Sequence, residues 1–444
     1  MMLLRSLKSI IYCIAVKKAA ACSTVRIDAD VGLATDDPGT CPNCAQDSSS
    51  TSFQARTMEI DRAMISTDRT NVDGVTSSAY LDGMSYVETF PTTNGEEVLQ
   101  ECSPFIEWKW ERKIPSVAIT MGGNIVGKSI RSITEGMNLN GLTVSVQLFR
   151  GNQFPVPAIT KTEVVEKKAI PDICLAVALL SSYSTVDEIM SDFKEGGPLH
   201  YVYSWVFGDP IGVGFHWVVD DAKGNHVLIE FRDGSPKFWN TASIKVVTND
   251  PAFDWHVANI NNYAMTSSVV EVDPLLVVDD ETFGKVPQLV GTGMNTKAIP
   301  GDFTSASRFQ KLFYLNRLRQ TAVPSESFAE NFAAANALIS SVFIPWGTVA
   351  GEIGEEKGHY EWTEWTVIKC YGGGHRKFYY KGYFDTTWKV VDLTKVDVRT
   401  NEKAEINPIG RKPGIEDLGV VDSPIIGKER NRKNLKGFQQ VGTY

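Results

Sequence analysis

The chain has 444 residues, of which 43% are hydrophobic and 22% are charged, and this balance excludes an intrinsically disordered protein. Its formal net charge is −9. Residues 1–21 carry four basic and no acidic residues, so the rest of the chain has 40 basic and 53 acidic residues and a net charge of −13. A body this acidic argues against nucleic-acid binding, and no apolar run reaches the roughly 20 residues that a membrane-spanning helix needs.

The first 21 residues have the layout of a removable secretory leader. Two basic residues precede the apolar run 9–16, and the three alanines 19–21 precede Cys22. The lysines at 17 and 18 are untypical so near a cleavage site, so a cytoplasmic proenzyme trimmed by another route is the alternative to an exported protein. Cleavage before Cys22 would free an α-amino group with a pKa of about 7.7 to 8.0, which suits it to accept the proton of the same residue's thiol.

Taken alone, a cysteine after alanines is more often a buried small side chain. Seven cysteines are present, and five remain once Cys13 leaves with the leader and Cys22 is set aside, so at least one of the five stays free. Cys41-Pro42-Asn43-Cys44 has a CxxC spacing, but a structural zinc would need two further ligands at a matching spacing. We therefore interpret residues 41–44 as a surface loop that could hold a local disulfide.

After Cys22 the chain alternates predicted strands and helices. Residues 24–27 and 53–60 are predicted strands on either side of a long loop, 28–52. Thr185 and Glu188 form a capping box for a helix over 186–193. Further strands are predicted at 116–120 and 142–149, a hairpin at 216–231, helices at 307–318 and 327–339, and two or three antiparallel strands over 363–391.

This order of elements lacks the regular βαβ alternation of a parallel sheet and indicates an α+β fold. No linker divides the chain after the leader. We therefore predict a leader over residues 1–21, one catalytic domain over 22–412 and an extended tail over 413–444.

A series of short motifs runs through the chain in a fixed order. They are Ala21-Cys22-Ser23, Arg56-Thr57-Met58-Glu59, Glu135-Gly136-Met137-Asn138, Gly141-Leu142, His216-Trp217, Thr248-Asn249-Asp250-Pro251, residues 253–259, 300–304 and 306–309, Tyr379-Tyr380 and residues 388–395. Together they resemble the choloylglycine hydrolase or linear amide C-N hydrolase family, which includes bile salt hydrolases and penicillin V acylases. That family belongs to the N-terminal nucleophile hydrolases.

The resemblance implies a four-layer αββα sandwich of two antiparallel sheets. It implies that Cys22 is the nucleophile and its freed amine the base, and that Arg56 lies beside the thiol and favours the thiolate. Glu59 stands where the family usually has an aspartate that orients the α-amino group, so its carboxyl reaches one methylene further.

The resemblance also implies an oxyanion site. The Asn249 carboxamide and a backbone N–H near Leu148 would bind the oxyanion, and Arg308 would support the catalytic cysteine. Bile salt hydrolases often have asparagine at the position of Leu148, and penicillin V acylases have tyrosine. Leucine matches neither, so the residue at this position does not indicate the substrate. An apolar residue there is more like the exported members. The implied chemistry needs neither a cofactor nor a metal.

Each of these residues has a commoner explanation in isolation. Arg56 with Glu59 could form a surface ion pair, Asn249 could be a turn former, and Arg308 could pair with Asp302 at a helix end. The combination of one thiol, one amine, one acid, one amide and one cation is what favours the catalytic interpretation.

We therefore expect an exported amidase that hydrolyses linear, non-peptide amides through a thioester on Cys22. Its substrate would be a small amphipathic N-acyl amide, and family members are often homotetramers. One alternative is a thiol enzyme that uses Cys174 or Cys370 with His216. The other is a non-catalytic binding protein on the same fold.

Overall fold

A computed structural model describes residues 22–29, 51–61, 85–102, 107–125, 128–154, 169–203, 214–263, 277–280, 284–287, 296, 298–322, 328–350, 360–395, 400–406 and 438–440. The predicted leader, the CxxC segment 41–44 and the predicted tail apart from residues 438–440 lie outside the described residues.

Among the described residues, two eight-stranded antiparallel sheets form the body of the protein. The first sheet contains β1 (Cys22–Ala29), β2 (Thr51–Asp61), β14 (Val246–Thr248), β17 (Val349–Ala350), β18 (Tyr360–Gly372), β19 (His375–Gly382), β20 (Lys389–Asp392) and β22 (Phe438–Gln440). The second contains β3 (Ser85–Phe90), β6 (Ser116–Ile125), β7 (Lys128–Asn138), β8 (Thr143–Leu148), β11 (Phe215–Asp220), β12 (His226–Arg232), β13 (Ser235–Asn240) and β21 (Lys403–Ile406). Three short pairs complete the strands: β4 (Glu97–Gln100) with β5 (Trp108–Glu111), β9 (Ile170–Pro171) with β10 (Val202–Tyr203), and β15 (Val277–Asp280) with β16 (Gly284–Pro287).

The strand order places the start of β1 in the middle of the molecule. The first sheet runs β14-β1-β2-β18-β19-β20-β22, and the second runs β13-β12-β11-β8-β7-β6-β3-β21. Cys22 is the first residue of β1 and pairs with Met58 of β2. The end of β14 lies on the other side of β1, where Thr248 pairs with Ser23.

Five α-helices in the described part of the chain cover the two sheets. They are α1 (Leu175–Ser182), α2 (Val186–Asp192), α3 (Phe253–Asn259), α4 (Ser305–Ala322) and α5 (Phe328–Ser340), with 3-10 turns at Asp172–Cys174 and Ile260–Tyr263. The first of them packs on β7 and β8, and α4 and α5 pack on β1, β2 and β14. Apolar faces drive this arrangement: Leu175 and Leu179 are buried in the core of the second sheet, and Phe309 and Leu338 in that of the first. The fold is therefore the predicted layered α+β sandwich of two antiparallel sheets with helices.

Several sequence-based expectations hold in detail. The Thr185 hydroxyl accepts from the Glu188 N–H and the Glu188 carboxylate accepts from the Thr185 N–H, which is the predicted capping box. The hairpin over 216–231 is β11 and β12, and the strands of 363–391 are β18 to β20. Strands β3, β4, β5 and β7 were not among the predicted elements.

One disulfide lies among the described residues. It joins Cys102, just after β4, to Cys174, in the 3-10 turn before α1, across 72 residues of sequence. Cys22 and Cys370 are buried, and neither is part of a disulfide. No helix in the described ranges is both long and apolar enough to cross a membrane.

Candidate active site

Cys22 lies between the two sheets with 1% of its surface exposed. Its Sγ is 3.3 Å from the Met58 Sδ on the adjacent strand. The two side chains share a face because Cys22 and Met58 are directly paired in the antiparallel register. The thiol is thus held at the beginning of a rigid central strand.

Arg56 approaches the sulfur from β2. Its Nη2 donates to the Cys22 Sγ at 3.3 Å and to the Val146 carbonyl at 2.5 Å. Its Nη1 donates to the Glu135 carboxylate at 2.9 Å and to the Thr134 carbonyl. Arg56 is fully buried, so its position beside the sulfur is fixed from both sheets.

Asn249 follows directly after β14 and spans the gap between the sheets. Its Oδ1 accepts the Cys22 backbone N–H at 2.5 Å and Arg308 Nη2 at 3.0 Å. Its Nδ2 donates to the Leu148 carbonyl at 2.8 Å. Two donors on the oxygen and one acceptor on the nitrogen determine which way the carboxamide points.

Leu148 is the last residue of β8, and its backbone N–H points away from β11. Phe149 donates its N–H to the Gly214 carbonyl at 2.9 Å, so these residues form a hydrogen-bonded pair and the next pair, Leu148 with Phe215, does not. A Cβ at Gly214 would lie 2.1 Å from the Phe149 carbonyl, so only glycine permits this approach. The Leu148 N–H is directed to the side where the ladder with β7 extends only to Ser145.

The turn that carries Asn249 is held from two sides. Asp250 accepts the Arg150 N–H at 2.9 Å, which ties the turn to the end of β8. His256 Nε2 lies 2.9 Å from the Asn249 carbonyl and therefore carries the proton of that bond. Burial lowers the pKa of His256 to about 4, so this imidazole is neutral at pH 7. His256 acts on Asn249 and does not reach the thiol by hydrogen bonding.

Arg308 lies in the first turns of α4 and holds the other side of Cys22. Its Nη1 donates to the Cys22 carbonyl at 2.6 Å and to the Ser23 hydroxyl at 2.5 Å. The Asp302 carboxylate instead accepts from the Thr304 N–H and the Ser307 hydroxyl, and the Thr304 hydroxyl caps the helix by accepting the Ser307 N–H. The guanidinium of Arg308 is thus directed at the nucleophile strand, and the helix-end pair with Asp302 does not form.

Glu59 lies one residue beyond the last pair between β2 and β1. Its Oε1 accepts from the Thr363 hydroxyl at 3.0 Å, and its Oε2 has no hydrogen-bond partner among the described residues. Burial raises the pKa of Glu59, and Arg308 opposes this. The structure therefore brings together all six predicted site residues, namely Cys22, Arg56, Glu59, Leu148, Asn249 and Arg308.

Burial is the largest influence on the thiol. It raises the pKa of Cys22, Arg56 lowers it, Glu59 raises it and Arg308 lowers it, with a raised value as the result. In the intact chain the neutral thiol is therefore favoured. In the described part of the chain, no group of three His, Cys, Asp or Glu side chains is arranged to hold a metal ion.

A family model for linear amide C-N hydrolases of the choloylglycine hydrolase family matches residues 96–406. The chain belongs to the choloylglycine hydrolase family. It is an amidase that acts on linear amides, and this membership decides against the non-catalytic alternative.

Relatives and solved structures agree with this assignment. The chain is 25% identical over 294 residues to the bile salt hydrolase/transferase of Clostridium perfringens, which covers 66% of this chain and 82% of the relative. It is 28% identical over 150 residues to the penicillin V acylase of Pectobacterium atrosepticum, covering 33% and 37% of the two chains.

The solved structures share the fold. A crystal structure of a variant conjugated bile acid hydrolase from Clostridium perfringens superposes with a TM-score of 0.59 at 18% identity, covering 87% of this chain and 97% of the other. A penicillin V acylase structure from Agrobacterium tumefaciens gives 0.55 at 17% identity, covering 86% and 90%.

The structure corrects the alternative of a Cys-His thiol enzyme. Cys174 is bonded to Cys102 and has no thiol to offer. His216 lies between Gln147 and Glu230, 3.3 Å and 3.4 Å from their side-chain oxygens, and contacts neither candidate cysteine by a hydrogen bond. Cys22 is therefore better placed among the predicted site residues than Cys174 or Cys370.

Sequence reasoning missed one buried acid beside this site. The register between β18 and β2 shifts at Glu364, which is the extra residue of a β-bulge opposite Met58. Burial raises the pKa of Glu364 to about 8, and a hydrogen bond with Ser85 opposes the rise. The bulge itself has no signature in the aromatic sequence around it.

Glu364→Gln is expected to stabilise the protein in neutral and alkaline solution. The folded-state pKa of about 8 lies above the ordinary value of 4.5, so the protonated acid's contribution is complete below pH 4.5 and is lost as the pH rises through 8. Glutamine remains neutral in both states, so at pH 8 the free energy of unfolding should rise on the order of 4 kcal/mol. Urea unfolding of both proteins at pH 5 and pH 8 checks this, and the same pH dependence in both would contradict it.

Proposed function

We propose that the chain is cleaved before Cys22 and that Cys22 then hydrolyses linear amides as an N-terminal nucleophile. One observation carries the proposal: three side chains contact three different atoms of this residue. Arg56 contacts its sulfur, Asn249 its nitrogen and Arg308 its carbonyl oxygen. Any buried residue needs partners for its backbone N–H and carbonyl, but a cysteine that only fills a core has no need of a guanidinium at its sulfur.

The freed amine would act as the base. The α-amino nitrogen takes the place of the N–H that Asn249 now accepts, and the second oxygen of Glu59 is available to an ammonium group. A buried carboxylate with an unpaired oxygen is unfavourable, so the new charge would also stabilise Glu59. With a pKa near 8, the amine can take the thiol proton at neutral pH.

The reaction then has two halves. The Cys22 thiolate forms a bond to the amide carbonyl carbon, and Asn249 Nδ2 and the Leu148 N–H donate to the oxyanion. The α-ammonium gives its proton to the leaving nitrogen as the carbon–nitrogen bond breaks, which leaves a thioester and a free amine product. Water, deprotonated by the α-amine, attacks the thioester, and the carbon–sulfur bond breaks to release the carboxylic acid.

For the substrate we propose a small amphipathic N-acyl amide. The named activities of the relatives on bile salts and penicillin V support this class. Leu148 gives no further restriction, so bile salt conjugates, penicillin V and N-acyl homoserine lactones form the panel to assay. A homotetramer remains a prediction from the family resemblance.

We also propose that the protein is exported. The basic and apolar pattern of residues 1–21 supports a secretory leader. The disulfide between Cys102 and Cys174 supports an oxidising compartment, since such bonds are rare in the cytosol. Fractionation of the producing cells checks this assignment.

The proposed cleavage is tested by the mass of the mature N-terminus. The full chain, expressed with its leader, should yield active protein that begins at Cys22. As a control, a chain that begins with one removable Met before Cys22 should be active once that Met is lost. If protein that retains residues upstream of Cys22 hydrolyses the same amides equally well, the proposal is wrong.

A further inference from the structure

A chain of buried charges extends from Arg56 away from the sulfur. The Glu135 carboxylate accepts Arg56 Nη1 at 2.9 Å on one oxygen, and its other oxygen accepts the Lys369 ammonium and the Ser145 hydroxyl. Lys369 also donates to the Ser145 hydroxyl at 3.1 Å. All of these side chains are buried, and they come from four strands: β2 for Arg56, β7 for Glu135, β8 for Ser145 and β18 for Lys369.

Lys369 changes the net charge of the buried groups beside the sulfur. Arg56 and Glu135 by themselves form a neutral pair, so they would leave an anionic sulfur without net compensation. With Lys369 included, the three groups carry one positive charge in total. When the Cys22 thiol ionises, the four groups become neutral as a set. A buried anion is tolerated only when such compensation is near.

Further charged groups lie around this set. Cys22 also faces Glu59 and Arg308, and Lys369 also faces Asp220. Asp220 in turn lies 3.0 Å from a His226 ring nitrogen and 4.0 Å from Arg26.

Arg26 also pairs with Asp28 at 2.9 Å, and Asp28 pairs with Lys245 at 2.9 Å. Glu135 is therefore the carboxylate that links Lys369 to Arg56. Burial lowers the pKa of the Lys369 ammonium, and the contact with Glu135 opposes this.

We propose that Lys369 is a positioning residue that acts through Glu135, fixing Arg56 against Cys22 and adding one positive charge to the buried set that faces an anionic sulfur. The inference rests on the proposed function of Cys22 as the nucleophile. The Lys369 ammonium donates to Glu135 and Ser145 and not to the Cys22 sulfur. Its effect is on the ionisation of the thiol.

The test measures the pH profile of Cys22 alkylation by iodoacetamide in the mature protein, with mass spectrometry to assign the label. Lys369→Met should move the profile to higher pH and slow alkylation at pH 7 by about 10-fold, because removal of a nearby charge changes a pKa by about a unit or more. The value of kcat/KM should fall in parallel. Lys369→Arg, which keeps the charge, should retain most of the wild-type profile.

The double variant Glu135→Gln with Lys369→Met separates charge from structure. It removes one charge of each sign and leaves Arg56 opposite the sulfur, so its alkylation profile should return toward that of the wild type. A purely structural role predicts that the double variant is worse than either single one. If Lys369→Met does not fold, the double variant compared with Glu135→Gln alone still decides. Glu135→Gln alone keeps two positive charges and the double variant keeps one, so the proposal expects the alkylation profile of the double variant at higher pH, and identical profiles for the two would overturn it.

An unchanged alkylation profile in Lys369→Met would overturn the inference and leave Cys22 as the nucleophile. Full activity of Cys22→Ala would instead overturn the proposed function. The two failures are therefore distinguishable.

Discussion

Replacing Cys22 with alanine is expected to lower amide hydrolysis by about 10⁴-fold or more while the protein still folds. The thiol is the only group in the proposed mechanism that bonds to the substrate carbon, and loss of a nucleophile typically has effects of this size or larger. The measurement is kcat on the most rapidly hydrolysed amide of the panel, with circular dichroism and thermal unfolding to verify the fold.

Cys370 provides a matched control. It is the other buried cysteine among the described residues that is not part of a disulfide, and it lies on β18 of the same sheet. Cys370→Ala should lose some stability and keep kcat within a few-fold of the wild type. Comparable loss of turnover in both variants would argue that the thiols matter for packing, and the proposed nucleophile would then be wrong.

Asn249→Ala is expected to reduce kcat by about 100-fold to 1,000-fold, which corresponds to about 3 to 4 kcal/mol of transition-state stabilisation. The substitution removes the proposed oxyanion donor and also the acceptor that Cys22 N and Arg308 share. Asn249→Asp retains the acceptor and loses the Nδ2 donor. A loss of similar size in both variants would assign the effect to the donor.

The control for this experiment is Asn138, another buried asparagine. Its Nδ2 donates to the carbonyl of Leu180, at the end of α1, at 2.9 Å and to the carbonyl of Tyr183, in the loop between α1 and α2, at 2.8 Å. Asn138→Ala should therefore lower the unfolding temperature and leave kcat nearly unchanged. Wild-type turnover in Asn249→Ala would remove Asn249 from the mechanism.

The elements that the sequence predicts well are those whose local signals and burial agree. The capping box of Thr185 and Glu188 is a four-residue pattern, and the hairpin of β11 and β12 combines strand residues with a turn at Gly224. Strand β7 was not predicted because it is central yet polar on its inner face. It buries Thr134 and Glu135 in contact with Arg56, so the alternation of apolar residues that marks a strand is missing.

The site residues also differ in whether a local sequence signal predicts them. The resemblance supplied the six residues, since no periodicity predicts that residues 22, 56, 249 and 308 meet. Glu135 belongs to one of the family motifs, but the resemblance implies no catalytic role for it. Lys369 belongs to a predicted strand segment that contains no family motif. The pairing of Cys102 with Cys174 could not be deduced from spacing because several pairings of the cysteines were open. Such contacts arise from the stacking of two sheets and are invisible in either strand alone.

The thioether of Met58 lies 3.3 Å from the thiol of Cys22, so the reaction centre holds two oxidisable sulfurs side by side. Peroxide can convert a methionine to its sulfoxide and a thiolate to a sulfenic acid. A sulfoxide oxygen at Met58 would place a polar acceptor beside the Arg56 guanidinium, which now contacts both sulfurs. This oxygen would then compete with the Cys22 thiolate for the hydrogen bonds of Arg56. Storage under reducing conditions therefore protects more than the cysteine itself.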